Sequence, residues 1–399
     1  MAKINTKMTH PERYEAKRVD TPNRSRDFTD RVYSGYQADR DAYYKGTFET
    51  ERSVYPAAPE YNIYFGEMHG HTRLSDGFPT TDEYYTNIRD NAKLDFAALS
   101  DHDHGGVAKP ELYTGVWEEV KAAAKKYYEP GKFTTLLAYE RDSYPWYNNS
   151  AVFFNSHDAE MFDVGVPGDM TKEQLKALLA REDCIFAPHD TAMLTPNTDL
   201  SSIPTELYTP LMEIYSRGDC AEYFDNPYND HDVQIEGCFW QDALNRGAKM
   251  GVYAGSDDHC CKNGLLCEDY PGLQKFPGIT GVWAKENTLE GIFEALKARR
   301  CYGFMGPERI TIDFRINGHY MGEEITDDGD REVYFNITTE VPVKKVTLFK
   351  NQRDYIIFRR YTETFLYDYK QEKDTDVYYL RVELEDGRCA WTSPIWINK

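Results

Sequence analysis

Between residues 60 and 307, short apolar runs alternate with amphipathic stretches. This alternation is typical of βα units, in which a buried strand of a largely parallel sheet is followed by a helix that covers it. The pattern predicts strands at 61–66, 94–100, 133–139, 151–154, 184–187, 211–215 and 249–254. About seven such units fit a βα barrel better than an open sheet, so we expect an α/β barrel over this region.

The amphipathic stretches predict helices at 81–92, 112–128, 173–181, 235–246 and 289–299. In a capping box, the N-cap side chain and a Glu or Gln three residues later each accept a hydrogen bond from the other's backbone N–H group. Such pairs predict the starts of three of these helices, namely Thr80 with Glu83, Thr171 with Gln174, and Asn287 with Glu290.

The helical pattern disappears after residue 307, where apolar and polar residues alternate instead. The dipeptides Asn317-Gly318 and Asp386-Gly387 are typical of tight β-hairpin turns. Residues 308–399 are therefore predicted to form a small antiparallel domain that resembles a β-sandwich. Residues 1–59 are polar, contain several Tyr residues and show no clear period, so we expect an arm that packs on the barrel.

The balance of charge limits the classes of partner. The chain has 46 Lys and Arg residues against 67 Asp and Glu residues, a formal net charge of −21. Without a basic surplus, neither nucleic acid nor an anionic membrane is expected as a partner. No apolar run is long enough to predict a transmembrane helix. We expect a small-molecule substrate, and the composition leaves oligomer formation open.

The cysteine pattern favours a reducing compartment. Eight cysteines are scattered along the chain, and none of them forms a CxxC pair. The first 20 residues lack the apolar core of a secretory signal. We therefore expect reduced thiols and a cytoplasmic location.

Side chains that can bind metal ions gather directly after five of the predicted strands. They lie at 67–71 with Asp76, at 101–104, at Glu140, at 189–190 and at 257–259. The carboxyl ends of barrel strands share one rim, so these side chains are expected to meet there. His69 and His71 are two residues apart, which places both imidazoles on one face of an extended chain. Mixed imidazole and carboxylate ligands favour Mn, Fe or Zn over Mg or Ca.

Several motifs occur in a fixed order in this region: His69-Gly70-His71-Thr72, Ser75-Asp76-Gly77, Ala98-Leu99-Ser100-Asp101-His102-Asp103, Glu140, Pro188-His189 and Gly255-Ser256-Asp257-Asp258-His259. Together they resemble the PHP (polymerase and histidinol phosphatase) family. The resemblance implies a distorted (β/α)7 barrel that holds two or three divalent metal ions. Carried over by motif, the implied ligands are His69, His71, Asp76, His102, Glu140, His189, Asp257 and His259.

The resemblance extends beyond the barrel and also shows departures. Residues 295–302 and 390–396 are similar to a poorly characterised branch of the family that carries a C-terminal β domain. The family normally has a further ligand, often His, after the strand that follows the glutamate. Asn149 stands near that place, and His157 is a candidate substitute. Glu67 stands where the family usually has Asp. We therefore favour two tightly held metal ions, with a third weak or completed by His157.

The resemblance implies metal-assisted hydrolysis, most often of phosphate esters, in which clustered dications convert a bridging water to hydroxide. Arg73, Arg141 and Arg217 are candidate contacts for a phosphate group, because the guanidinium fork matches a phosphate edge. Asp103 or His104 is a candidate for moving a proton to the leaving group.

Two alternatives remain open at the level of sequence. The first is a metal-dependent enzyme that acts on an amide, a sulfate ester or a sugar-lyase substrate, because basic residues near the motifs are sparse. The second is a non-catalytic binding protein on the same barrel. We expect residues 308–399 to brace the barrel or bind a partner and to supply no metal ligand, because that segment has no dense cluster of His and carboxylates.

Overall fold

The computed structural model describes residues 60–103, 110–144, 146–147, 149–162, 168–192, 198–216, 219–229, 234–267, 276–368 and 371–399. The expected N-terminal arm, residues 1–59, lies outside the described residues, as do the candidate site residues His104 and Arg217.

The region up to residue 307 combines helices and strands. Its strands are β1 (Asn62–Glu67), β2 (Phe96–Leu99), β3 (Thr134–Tyr144), β4 (Asn149–Phe154), β5 (Gly168–Asp169), β6 (Cys184–Pro188), β7 (Leu211–Ser216), β8 (Asp219–Cys220), β9 (Gly251–Ala254), β10 (Gly278–Ala284) and β11 (Cys301–Met305). Its helices are α1 (Thr81–Thr86), which continues into a π-helical turn, α2 (Pro110–Tyr127), α3 (Lys172–Leu179), α4 (Trp240–Asn245) and α5 (Leu289–Lys297). Among the described residues, no helix combines the length and apolar character needed to cross a membrane.

The sheet of this region is mixed rather than largely parallel. Strands β1, β2 and β3 pair in parallel, whereas β10 pairs antiparallel with β1, β4 with β3, and β6 with β4. A separate described sheet has the order β8-β7-β9, with β7 and β9 parallel. β3 ends at Tyr144 and β4 begins at Asn149, which leaves no room for the dozen or so residues that a parallel crossover needs. The α/β class agrees with the expectation, and the closed (β/α)7 barrel stays a prediction.

Two of the three predicted capping boxes are present. The Thr80 and Thr171 side chains accept from the backbone N–H of Glu83 and Gln174, and those side chains accept from the N-cap N–H in return. The third prediction was wrong by one residue, because Thr288 caps α5 and accepts from the N–H of Gly291. The helix expected at 235–246 is also shorter, since α4 covers only Trp240–Asn245.

Residues 308–399 form strands in the structure, as the alternating pattern predicts. They are β12 (Ile310–Ile316), β13 (His319–Tyr320), β14 (Glu324–Thr326), β15 (Arg331–Thr339), β16 (Val343–Lys350), β17 (Arg353–Arg359), β18 (Glu363–Asp368), β19 (Thr375–Leu384), β20 (Cys389–Thr392) and β21 (Ile395–Asn398). Asn317 and Gly318 both have positive φ, 52° and 80°, as a tight hairpin turn between β12 and β13 requires. The predicted boundary at residue 307 remains a prediction.

Strand pairing and a buried ion pair join the C-terminal strands to the first region. β20 pairs antiparallel with β11, so one fourteen-stranded sheet continues from β1–β3 into the C-terminal strands. Glu222, which follows β8, is fully buried. It accepts hydrogen bonds from Tyr379 Oη (2.7 Å), Arg381 Nη1 (2.9 Å) and Trp391 Nε1 (2.8 Å). The C-terminal strands therefore support the segment that leads from β8 to α4.

All eight cysteines are free thiols, and six of them are buried. This agrees with the expectation of reduced cysteines. The cytoplasmic location stays a prediction.

Candidate metal centre

The predicted metal-binding segments meet at one end of the strands. His69 and His71 follow β1, His102 follows β2, Glu140 lies on β3, His189 follows β6, and Asp257 and His259 follow β9. Backbone hydrogen bonds fix these segments to one another. The N–H of His71 donates to the carbonyl of Asp258 (3.0 Å), and the N–H of Asp257 donates to that of His69 (2.9 Å).

An inner group consists of His69, His71 and Asp257, whose donor atoms lie within 4.8 Å of one another. His71 Nε2 is 3.1 Å from Asp257 Oδ1, and His69 Nε2 is 3.6 Å from the same oxygen. The two Nε2 atoms are only 3.3 Å apart. Both imidazoles are fully buried, so their ring nitrogens converge on a space shielded from solvent.

An outer group consists of His71, Asp76, His102 and His259. Asp76 Oδ1 lies 3.2 Å from His259 Nε2, 3.7 Å from His102 Nε2 and 3.8 Å from His71 Nδ1. The Asp76 side chain is 57% exposed. The outer group is therefore open to solvent at Asp76, whereas the inner group has two buried imidazoles and a half-buried Asp257.

Glu140 lies between four histidines. Its Oε2 is 3.2 Å from His69 Nε2, 3.1 Å from His71 Nε2 and 3.5 Å from His102 Nδ1. Its Oε1 is 2.6 Å from His189 Nε2. Burial opposes ionisation of this carboxyl, but the facing histidines hold its pKa well below its usual range. Glu140 is thus a buried carboxylate that faces histidines of both the inner and the outer group.

The pKa values of His71 and His189 are shifted in the opposite direction. Burial alone would lower the pKa of His71, but the carboxylates of Asp257 and Glu140 raise it to about 9. In the same way, the pKa of His189 lies well above its usual value, because Asp190 and Glu140 outweigh burial. Without metal, the cluster therefore holds protons to balance its carboxylates, which is the role that bound cations would take over.

Sequence reasoning missed Glu213, which lies on β7. His69, His189 and Glu213 form a third group of convergent donor atoms. Glu213 Oε2 is 2.9 Å from His69 Nδ1, so Nδ1–H donates to the carboxylate and Nε2 is directed into the inner group. Such carboxylate contacts fix the tautomer and orientation of a metal-binding histidine. The signal in the sequence is a single carboxylate inside the apolar run 211–215, which forms a fully buried strand.

Three further carboxylates hold the loops that carry the donors. Glu67 accepts from the backbone N–H groups of Ser256 (2.8 Å) and His69 (3.1 Å), and burial raises its pKa to about 7. Asp101 accepts from Thr72 N (2.7 Å), Thr72 Oγ1 (2.6 Å) and Ser75 Oγ (2.6 Å). Asp258 accepts from the N–H groups of the two residues at 260 and 262. These acids organise the site rather than face its centre.

Two residues in the segments that carry the donors have a strained backbone. Asp257 has φ of 46° and Asp190 has φ of 50°, in the left-handed region that non-glycine residues seldom adopt. Such conformations persist where the surrounding structure enforces them, and they are frequent at functional sites.

The structure does not bring His157 to the cluster. Its Nε2 donates to the carbonyl oxygen of Thr135 (2.7 Å), and its ring meets the edge of Tyr128 with the centroids 5.0 Å apart. Thr135 and Glu140 are five residues apart on β3, about 17 Å at the rise of an extended strand. Asn149 begins β4, and its carbonyl accepts from the N–H of His189 (3.0 Å).

The candidate catalytic residues occupy different surroundings. Arg141 is buried, and its Nη1 donates to Asp103 Oδ2 (2.8 Å) beside His102. Arg73 is exposed and close enough to Glu83 to lower the pKa of that carboxyl, although the hydrogen bonds from Thr80 contribute most. The structure thus places Arg141 and Asp103 together next to the site, and Arg73 at the surface.

The residues present fit divalent metal ions. Imidazole and carboxylate donors from separate segments converge, and the buried Asp257 Oδ1 has no hydrogen-bond partner in the part of the chain that the structure describes. Buried polar atoms normally have partners, and a bound cation would satisfy the facing donors. Donor sets of this kind suit Mn, Fe or Zn.

The chain is similar to a family described as a protein of unknown function (DUF3604), whose model matches residues 79–183 and 267–335, less than half of the chain. An uncharacterised protein of Chlamydia pneumoniae is 24% identical over 377 residues, which cover 84% of this chain and 57% of that protein. An uncharacterised protein of Chlamydia trachomatis is 28% identical over 216 residues, which cover 47% of this chain and 34% of that protein. The chain thus spans 34–57% of the length of these relatives.

One similar solved structure comes from Bacteroides vulgatus and is described as a two-domain protein containing a predicted PHP-like metal-dependent phosphoesterase. It shares 15% identity, covers 86% of this chain and 97% of that chain, and has a TM-score of 0.43. The matched family is described as a protein of unknown function, and both Chlamydia relatives are described as uncharacterised.

Proposed function

We propose that this protein is a metal-dependent hydrolase that holds two divalent ions. The observation that carries the proposal is the convergence of His69 Nε2, His71 Nε2 and Asp257 Oδ1 within 3.1–3.6 Å of one another, with Glu140 Oε2 beside them. A neutral imidazole offers one lone pair to one ion, so each histidine is assigned to one ion only. His71 belongs to the inner ion, because its Nε2 faces Asp257 and Glu140.

The outer ion would take Asp76, His102 and His259, with Glu140 at the boundary between the two ions. Among the described residues, a third ion at His189 would have the carboxylates of Glu140, Asp190, Glu213 and Asp219 around it but no second histidine, because His69 is assigned to the inner ion and His157 bonds to Thr135 instead. Two ions therefore fit the described donors better than three. Bound ions of this type supply Lewis-acid activation of water and neutralise the charge of an ester oxyanion.

The substrate class that fits best is a phosphate ester of a small molecule. The outer group opens to solvent at Asp76, so a substrate can reach it without displacing the buried inner donors. Asp103 follows His102 directly and is held by Arg141. This position suits a carboxylate that takes up the proton lost by the attacking water and passes it to a leaving group at the edge of the outer group. Arg141 acts in this scheme as the residue that positions Asp103.

A second candidate is hydrolysis of a non-phosphate substrate such as an amide or a sulfate ester. It is favoured by the positions of the arginines, since Nη1 of Arg141 is bonded to Asp103 and Arg73 lies at the surface near Glu83. In the described part of the chain, the ion pairs of Asp76 and Asp257 are with histidines rather than with Lys or Arg. A phosphate would then depend on the metal ions for most of its charge neutralisation.

The test is a hydrolysis screen of protein reconstituted with Mn²⁺, Fe²⁺ or Zn²⁺. We expect metal-dependent release of phosphate from small esters in the wild type. His71→Ala should lose both metal and turnover, whereas His157→Ala, a matched histidine outside the cluster, should keep both.

The alternatives give different outcomes. Turnover only of amides or sulfate esters would support the second candidate. Bound metal without turnover of any substrate would indicate a binding protein. Undiminished hydrolysis in His71→Ala would place the chemistry elsewhere and contradict the proposal.

A further inference from the structure

Phe78 is an apolar side chain that the fold leaves in water. It is 77% exposed, and the other large exposed apolar residue in the described part of the chain is Tyr361, at 40%. A single exposed apolar residue is common and needs no special explanation. Phe78 differs because of the rigidity of its loop and the group that this loop carries.

The loop from Thr72 to Pro79 is tied down by backbone hydrogen bonds. Gly77 N donates to Thr72 O (2.9 Å), and Arg73 N donates to Pro79 O (2.9 Å). A Cβ atom at Gly77 would lie 2.4 Å from the carbonyl oxygen of His71, so the loop is pressed against the segment that bears the inner donors. The exposed ring is therefore presented by a fixed backbone.

The same loop carries a donor of the outer group. Phe78 N donates to the carbonyl oxygen of His259 (2.8 Å). Asp76, two residues earlier, has Oδ1 at 3.2 Å from His259 Nε2. The Phe78 N–H is thus bonded to the backbone of His259, whose side chain is one outer donor. Phe78 also lies two residues from Asp76, the donor at which the outer group opens to solvent.

We propose that Phe78 forms an apolar subsite at the mouth of the metal centre, and that its ligands are anionic molecules with a flat apolar group, such as an aryl ring, next to the anionic group. A phenyl ring has no hydrogen-bonding atom, so it recognises an apolar face by stacking and by exclusion of water. The described part of the chain leaves the ring exposed for this contact with a ligand. This inference rests on the proposed metal site and narrows its substrate class.

The test measures binding, so that it does not depend on turnover. Titration calorimetry on the Mn²⁺-loaded protein compares phenylphosphonate with methylphosphonate, which present similar anionic groups to the metal centre. We expect the wild type to prefer phenylphosphonate by about tenfold. In Phe78→Ala this preference should fall to near one through loss of phenylphosphonate affinity. Tyr361→Ala, the matched exposed aromatic in the connection between β17 and β18, should retain the full preference.

Phe78→Leu distinguishes the effect of the aromatic ring from any effect of the substitution on the loop and its metal donor. It keeps apolar bulk, so it should retain the metal content measured by elemental analysis while losing most of the preference. A preference that persists in Phe78→Ala, or a wild type that shows no aryl preference for any anionic group tested, would overturn the inference.

Repeating the comparison with benzenesulfonate against methanesulfonate, and with benzoate against acetate, separates this inference from the proposed function. A Phe78-dependent aryl preference seen only for sulfonates or carboxylates would leave the subsite standing and count against the phosphate ester. Absence of binding in all three pairs would overturn both.

Discussion

Glu213 provides a sharp test of how the protein prepares its metal centre. Its carboxylate accepts from His69 Nδ1 at 2.9 Å in a buried environment. A hydrogen bond to a charged group contributes about 1.5–3 kcal/mol. At about 1.4 kcal/mol per factor of ten, its loss should weaken metal binding by about 10- to 100-fold. This matches the usual effect of removing an outer partner of a metal-binding histidine.

A graded pair of variants measures this effect. Glu213→Gln keeps an acceptor but loses the charge, so we expect metal affinity to fall by about tenfold; Glu213→Leu removes the acceptor and should approach about 100-fold. Affinity is measured by titrating Mn²⁺ against a chelator of known strength. Asp313→Asn, which alters a buried carboxylate bonded to Arg315 on β12, serves as the control and should bind metal like the wild type.

Two results would refute the reasoning. Wild-type affinity in Glu213→Leu would show that the contact with His69 does not matter for the metal. Loss of one whole metal equivalent, not recovered at high Mn²⁺, would show that Glu213 is itself a ligand rather than a residue that orients one.

Glu222→Gln should destabilise the protein by about 3 kcal/mol in urea unfolding, because it leaves Arg381 buried without its main partner; Glu182→Gln, in an exposed pair with Lys297, should change stability by less than about 0.5 kcal/mol. Asp76→Ala should lose the outer ion and keep the inner one, which elemental analysis would report as one equivalent; loss of both ions would argue against separate groups. Without metal, His71 has a pKa raised from 6.5 to about 9, so its contribution to stability is present below pH 6.5 and is lost as pH rises through 9. Urea unfolding of metal-free protein should therefore show falling stability over this range, and a flat profile would contradict the charge balance of the cluster.

The donors that follow strands were found from the sequence because their position obeys a simple rule. A polar residue directly after an apolar run lies at the end of a strand, where neighbouring strands also end. His69, His102, His189 and Asp257 follow strands in the structure, whereas β3 continues past Glu140 to Tyr144, and the structure brings all five together. Glu213 was missed because it lies inside the apolar run 211–215 rather than directly after it.

The sheet could be predicted only in part. Strands β10 and β11 were missed, and both contain glycines that obscure the strand pattern. Gly281 is required because a Cβ atom there would lie 2.3 Å from the Tyr302 ring, a contact that only the folded sheet reveals. His157 was considered as a ligand because it lies near Asn149 in sequence. Its hydrogen bond to Thr135 depends on the pairing of β3 with β4, which periodicity alone does not predict.

The most direct test of the proposed metal centre is anomalous X-ray diffraction from crystals of the Mn²⁺-loaded protein, with elemental analysis of the same preparation. We predict two manganese ions per chain. One should be bound by His69, His71 and Asp257, and the other by Asp76, His102 and His259. Fewer than one equivalent of metal after reconstitution with Mn²⁺, Fe²⁺ or Zn²⁺, or anomalous peaks away from these residues, would contradict the proposal.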